Sequence, residues 1–253
     1  LTPTLTSNAR LTSSAPAAWT LEIPPGPKGH YRLAQLDDYS SLSRKEFPWR
    51  PPLTLSLQAR VSEAELPGTW GFGFWNDPFS LSLGFGGGSR RFPALPNAAW
   101  FFFASPQNYL SLRDDLPARG FLAATFRSPA CSPPVLAIGI LGLPLLIWKP
   151  TARLLRQLAS RIIRQDAALA NIEVTRWHHY SMNWQADSIR FFVDNEILFE
   201  TSIIPRPPLG FVLWLDNQYA ALPPNGCLAY GTLSSENVVW LQVKDVEITN
   251  MNV

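Results

Sequence analysis

The sequence predicts an all-β fold of two packed antiparallel sheets carrying one inserted amphipathic helix. Short apolar or alternating runs, separated by Gly, Pro, Asn and Asp, fill the chain up to residue 128 and again after residue 172. A single stretch between them has helical spacing. The composition agrees: charged residues make up 16 % against a usual quarter, with ten Trp and fifteen Phe, so there is much apolar surface to bury. The 24 prolines punctuate it with turns. A chain of 253 residues suits one large all-β unit, and 1–253 is read as a single β-sandwich domain.

In order, the strand candidates are AWTLEI (18–23), GHYRLAQL (29–36), LTLSLQARV (53–61), TWGFGFW (69–75), FSLSLGF (79–85) and AAWFFFA (98–104). NYLSL (108–112) and GFLAATFR (120–127) follow. After the helical stretch come HHYSMNW (178–184), SIRFFVD (188–194), EILFET (196–201), LGFVLWLD (209–216) and VVWLQVKDVEI (238–248). Many strands without interleaved helices argue for two stacked antiparallel sheets.

The helical stretch is PTARLLRQLASRIIRQDAALAN (150–171). Pro150 opens it, Leu154, Leu155, Leu158, Ile162 and Leu169 recur at helical spacing, and Arg153, Arg156, Arg161 and Arg164 lie around them. The apolar run before it, PVLAIGILGLPLLIW (134–148), is broken by Gly139, Gly142 and Pro144 and falls short of the roughly 20 residues that span a bilayer. Residues 134–171 therefore form an apolar and helical insertion. Three readings stand for it: packing on an open sheet face with its arginines solvated, contact with an anionic membrane surface, or a lid that admits a lipid or other hydrophobic molecule.

A net charge of +2, with no long basic run interleaved with aromatics, argues against nucleic-acid binding. Cys131 and Cys227 suit a disulfide or two thiols, and two cysteines cannot form a CxxC…CxxC zinc site. No signal-peptide pattern stands at Leu1, and the compartment stays open.

The segment RWHHYSMNWQADSIRFFVDNEILFET (176–201) resembles the signature hairpin of the concanavalin A-like lectin/glucanase superfamily, specifically glycoside hydrolase family 16. PLGFVLWLDN (208–217) is similar to the family's next cleft strand, WLQVKDVEI (240–248) to its C-terminal strand, and GTWGFGFW (68–75) to the stretch before its catalytic strand. The resemblance implies a jelly-roll sandwich with a concave carbohydrate cleft. It also implies a structural calcium in many members, with Asp245 in a position like one ligand; no other cofactor is implied. Family enzymes carry E-x-D-x-E on a cleft strand, where alternation points the carboxylates to one face for retaining hydrolysis. Here no Asp or Glu occurs from Pro78 to Arg113, where that motif would fall, so its catalytic roles pass to no residue of this chain.

Candidate ligand-binding residues are Trp70, Phe72, Phe74, Trp75, Asn76, Trp100, Trp214 and Asn217. The aromatics suit stacking on sugar C–H faces; the same residues suit packing in a core. Asn76–Asp77 and Asp216–Asn217 end two proposed cleft strands, forming either a polar rim with relocated acids or ordinary turns. His178 is a further candidate base. Two classes follow: a protein that binds a carbohydrate or amphiphilic ligand without hydrolysis, or an enzyme using Asp77, Asp216 or His178.

Overall fold

The computed structural model describes residues 1–6, 8–78, 91, 94–130 and 148–250. The expected strand 79–85, Cys131 and the apolar residues 134–147 lie outside them. The described elements are β1 Thr2–Leu5, β2 Arg10–Ala15, β3 Ala18–Ile23, β4 Leu33–Asp37, β5 Leu53–Val61, β6 Thr69–Trp75, β7 Ala98–Ala104 and β8 Gly120–Arg127. Then come α1 Lys149–Ile162, β9 Arg164–Leu169, β10 His178–Trp184, β11 Ile189–Val193, β12 Glu196–Thr201, β13 Gly210–Asp216, β14 Gln218–Ala221, β15 Ala229–Thr232 and β16 Val239–Asn250.

The strands build two seven-stranded antiparallel sheets, a jelly-roll sandwich with one α-helix among the described residues. The front sheet runs β1-β4-β13-β6-β7-β8-β9, the back sheet β12-β11-β10-β5-β16-β3-β2, and β14-β15 form a separate hairpin. Period-2 alternation fixes which side chains meet between the layers. In β5, Leu53, Leu55, Leu57, Ala59 and Val61 are buried while the residues between them are half exposed. In β6 the inward members are Trp70, Phe72 and Phe74, all fully buried. Their rings meet the back sheet directly: Phe72 lies 5.2 Å from Tyr180 and Phe74 5.8 Å from Trp184, centroid to centroid. Each such ring contributes about 1.5–3 kcal/mol by leaving water. Trp70, Phe72 and Phe74 are thus core residues rather than cleft lining.

Other expectations change too. The helix ends at Ile162; Ile163 turns to extended backbone (φ −96°, ψ 109°), and Arg164–Leu169 pairs with β8 as the edge strand β9. Buried Gln165 and Ala167 alternate along this strand, so the pattern after residue 163 has period 2. Residues 108–112 form a loop joined to Ala221 by one isolated bridge at Tyr109. β1, β2, β14 and β15 were not expected, being short and mostly polar or exposed.

The helix also packs the opposite way round from an ordinary amphipathic helix. Its buried members are Ala152 and Arg156, while Leu154, Leu158 and Ile162 are exposed. Arg156 donates to the carbonyls of Leu222 (2.9 Å), Ser111 (3.1 Å) and Leu112, and pairs with Asp114 at 2.7 Å. An arginine that supplies donors to several loop carbonyls is held inward more strongly than a leucine would be. Gln165 Oε1 accepts from the backbone N–H of Leu112 at 2.9 Å, so helix and edge strand together hold the 108–114 loop.

Candidate ligand face on the front sheet

The outward positions of the three central front strands are Thr69, Gly71, Gly73 and Trp75 on β6, Trp100 and Phe102 on β7, and Val212, Trp214 and Asp216 on β13. Register places Gly71 between Trp214 and Phe102, and Gly73 between Val212 and Trp100. The two glycines leave β6 without side chains here, and atoms of β7 and β13 fill that space. A Cβ at Gly71 would fall 2.4 Å from the Phe101 carbonyl oxygen and 2.6 Å from Trp214 Cη2, so the indole of Trp214 lies across the strand where a side chain would stand. Rings from both flanking strands therefore converge. Trp100 and Trp214 have centroids 5.4 Å apart, Trp75 and Trp100 5.9 Å, and Trp75 stacks parallel to Trp214 at 6.3 Å. Phe102 closes the cluster, 5.5 Å from Trp100 and 5.8 Å from Trp214.

Polar contacts fix two of these rings, Trp75 and Trp214. Trp75 Nε1 donates to Tyr39 Oη at 2.6 Å, and Tyr39 lies over Gly210, where a Cβ would come within 2.3 Å of its ring. Burial, then the charges of Asp77 and Asp37, hold the Tyr39 phenol well above its usual range, so it keeps its proton. At the other end Trp214 Nε1 donates to Thr69 Oγ1 (3.0 Å), which donates to Asp216 Oδ1 (2.9 Å), and the N–H of Gln218 donates to the same oxygen (3.0 Å). Burial pushes the Asp216 carboxyl up to about 7, against the lowering effect of those hydrogen bonds. Burial and the neighbouring Asp216 charge likewise raise the Tyr31 phenol.

Of the expected site residues, Trp75, Trp100 and Trp214 come together on this face, with Asp216 at its edge. Asp77 does not join them. β6 and β13 are antiparallel, with Trp75 opposite Gly210 and Thr69 opposite Asp216, so Asp77 and Asp216 lie at opposite rims about 20 Å apart. Asp77 is buried in an ion pair with Arg91 at 2.7 Å, and burial raises its carboxyl while that arginine opposes the rise. Asn76 and Asn217 are occupied by backbone. Asn76 donates to the Leu95 carbonyl and accepts from the Asn97 N–H; Asn217 donates to the His30 and Leu233 carbonyls and accepts from the Arg32 N–H. Those amides fasten loops.

His178 belongs to the back sheet, held between Asp194 (2.6 Å) and the Glu173 carbonyl (3.1 Å). Asp245 is an exposed residue at a bulge of β16, accepting from Gln58 Nε2 at 3.0 Å. Among the described residues no group of three His, Cys, Asp or Glu is placed to hold a metal ion. Sequence reasoning missed Phe102, Tyr39 and Thr69. Phe102 was accessible by counting two residues on from Trp100; Tyr39 and Thr69 enter through tertiary pairing.

No protein-family model matches the sequence, and no curated protein sequence matches it. Solved structures similar to the chain include a legume lectin-like domain from Entamoeba histolytica, 9 % identical over 99 % of this chain and 90 % of that one, with a TM-score of 0.47. A glycoside hydrolase family 16 endo-glucanase from Bacteroides ovatus is 9 % identical over 96 % and 86 %, TM-score 0.46. The carbohydrate recognition domain of Emp46p in metal-free form is 13 % identical over 99 % and 89 %, TM-score 0.44. Residue roles rest on this chain alone.

Proposed function

We propose that this protein binds carbohydrate without hydrolysing it, on the aromatic face of the front sheet. The observation that carries the reading is the convergence of Trp75, Trp100 and Trp214, with centroids 5.4–6.3 Å apart, over a strand cleared by Gly71 and Gly73. Indole faces stack on the C–H faces of sugar rings, and such flat, held rings lose little entropy on binding. The half-buried Trp75 and Trp100 offer the accessible part of this surface.

The binding reading is favoured over an enzyme by the placement of the acids. Retaining glycoside hydrolysis uses two carboxyl groups about 5–5.5 Å apart, and inversion about 6.5–9.5 Å. Asp77, Asp216 and His178 occupy two opposite rims and a different sheet, so these three candidates do not converge on one reacting centre.

A thermal-shift panel of β-glucans, galactans, detergents and fatty acids tests this. Binding to the native state raises the melting temperature by mass action, by about 2.7 kcal/mol of stabilisation at a hundredfold excess over Kd. Stabilisation by a polysaccharide is expected, with no reducing ends released on prolonged incubation. Stabilisation by the amphiphiles alone would replace the carbohydrate reading with an amphiphile-binding one, and released reducing ends would overturn the non-hydrolytic one.

A further inference from the structure

We propose that α1 and the neighbouring end of the front sheet form a docking surface for an anionic phospholipid membrane. The inference stands apart from the carbohydrate reading, because none of its residues belongs to the aromatic face. Leu154, Leu158 and Ile162 recur every four residues and form one stripe along α1; they are 55 %, 42 % and 50 % exposed, and Trp148 just before the helix is 66 % exposed. Arg156 and Ala152 turn the other side of the helix inward. The apolar stripe is thus outermost because the polar side is spent on loop carbonyls.

Charge selects the occupant. From Lys149 to Gln165 the sequence holds Lys149, Arg153, Arg156, Arg161 and Arg164 and no carboxylate. Arg161 is exposed beside the stripe, where a long cationic side chain reaches headgroups while its stem covers apolar surface, and the exposed Arg153 is tied by its Nε to the Asn225 carbonyl at 2.9 Å. Past the end of the helix, Arg127, Arg164 and Arg206 surround a shallow depression of about 340 Å³ that Ile162 also lines. Arg127 and Arg164 are directly opposite across the β8–β9 ladder, an arrangement that repels unless an anion lies between them. None of these three guanidinium groups is in an ion pair among the described residues. Of the nearby acids, Asp114 and Asp115 are paired to Arg156 and Arg113, while Asp166, two residues on from Arg164 along β9, accepts from Thr201 Oγ1 at 2.6 Å and from the Ala167 N–H at 3.1 Å. An apolar stripe flanked by cations and ending in an arginine cluster matches acyl chains beside headgroup phosphates.

The helix is one to lie in the interface. It has 14 residues, and no helix among the described residues is long and apolar enough to cross a membrane.

The test is co-sedimentation of the full chain with vesicles of phosphatidylcholine alone and of a roughly 7:3 mixture with phosphatidylserine. Binding is expected to the anionic vesicles and to weaken with salt. Leu154→Glu/Leu158→Glu and Arg127→Gln/Arg164→Gln alter exposed or half-exposed side chains, so their melting curves should match the parent, and each is expected to weaken partitioning roughly tenfold or more. Absence of binding to the anionic vesicles, or equal partitioning of parent and both folded variants, would overturn the proposal. So would a dimer of the parent that Leu158→Glu converts to monomer with vesicle binding unchanged, since the stripe would then be covered by a second copy.

Discussion

The Gly71→Val protein is expected to lose about 3 kcal/mol of stability, near the upper end of the usual cost of overpacking, and to lose binding at the front face. A Cβ at this position meets the Phe101 carbonyl oxygen at 2.4 Å and Trp214 Cη2 at 2.6 Å. The carbonyl belongs to the β6–β7 ladder and cannot retreat without breaking strand pairing. The indole can move only by leaving its stack with Trp75 and its hydrogen bond to Thr69. Gly71→Ala should show the same effects in smaller degree. Urea titration with parallel ligand-binding measurements checks this: wild-type midpoint and affinity for Gly71→Val would mean that Gly71 does not set the position of Trp214.

Asp216→Asn is expected to be more stable than the parent at pH 8, with the advantage shrinking as pH falls. The folded carboxyl titrates at about 7, whereas in the unfolded chain it returns to about 3.9. Between those values the folded state keeps a proton that the unfolded state has released. This group's contribution to stability is therefore highest below about pH 4, falls as pH rises, and reaches its low plateau above about pH 7. The change is up to ~4 kcal/mol at ~1.4 kcal/mol per pH unit. Asparagine still accepts from Thr69 and Gln218 but carries no charge to bury. Denaturant melts of both proteins from pH 4 to pH 9 measure the difference; a gap that does not change with pH would show that Asp216 is ionised in the fold at an ordinary carboxylate pKa.

Much of the sandwich was legible because alternation is a local property. The strands at 18–23, 53–61, 69–75, 98–104, 120–127, 178–184 and 196–201 match the expected bounds residue for residue. β2, RLTSSA, escaped because its residues are mostly exposed and carry no apolar period. The helix misled in two ways. Its leucine spacing was correct for a helix, but spacing cannot say which face turns inward, and the buried side was decided by what Arg156 bonds. Its predicted length ran on because Arg164–Leu169 keeps apolar residues that a strand of the front sheet also needs.

The candidate site was half legible. GTWGFGFW advertises aromatics, yet parity sends Trp70, Phe72 and Phe74 into the core and leaves the glycines facing out. The aromatic cluster lies over the part of β6 that has no side chains and is made of rings borrowed from β7 and β13. The separation of Asp77 from Asp216 follows from β6 and β13 being antiparallel neighbours, which no local pattern states.

The most direct test of the central claim is a calorimetric titration of the best-stabilising polysaccharide fragment into the parent and into Trp100→Ala, with Trp70→Phe as a core control. Trp100 is half buried at the centre of the cluster, whereas Trp70 is enclosed between the sheets. Loss of one stacking ring is predicted to weaken binding by roughly tenfold or more, about 1.4 kcal/mol, while Trp70→Phe leaves affinity unchanged. Equal affinity for the parent and a folded Trp100→Ala protein would contradict the assignment of the front face as the carbohydrate site.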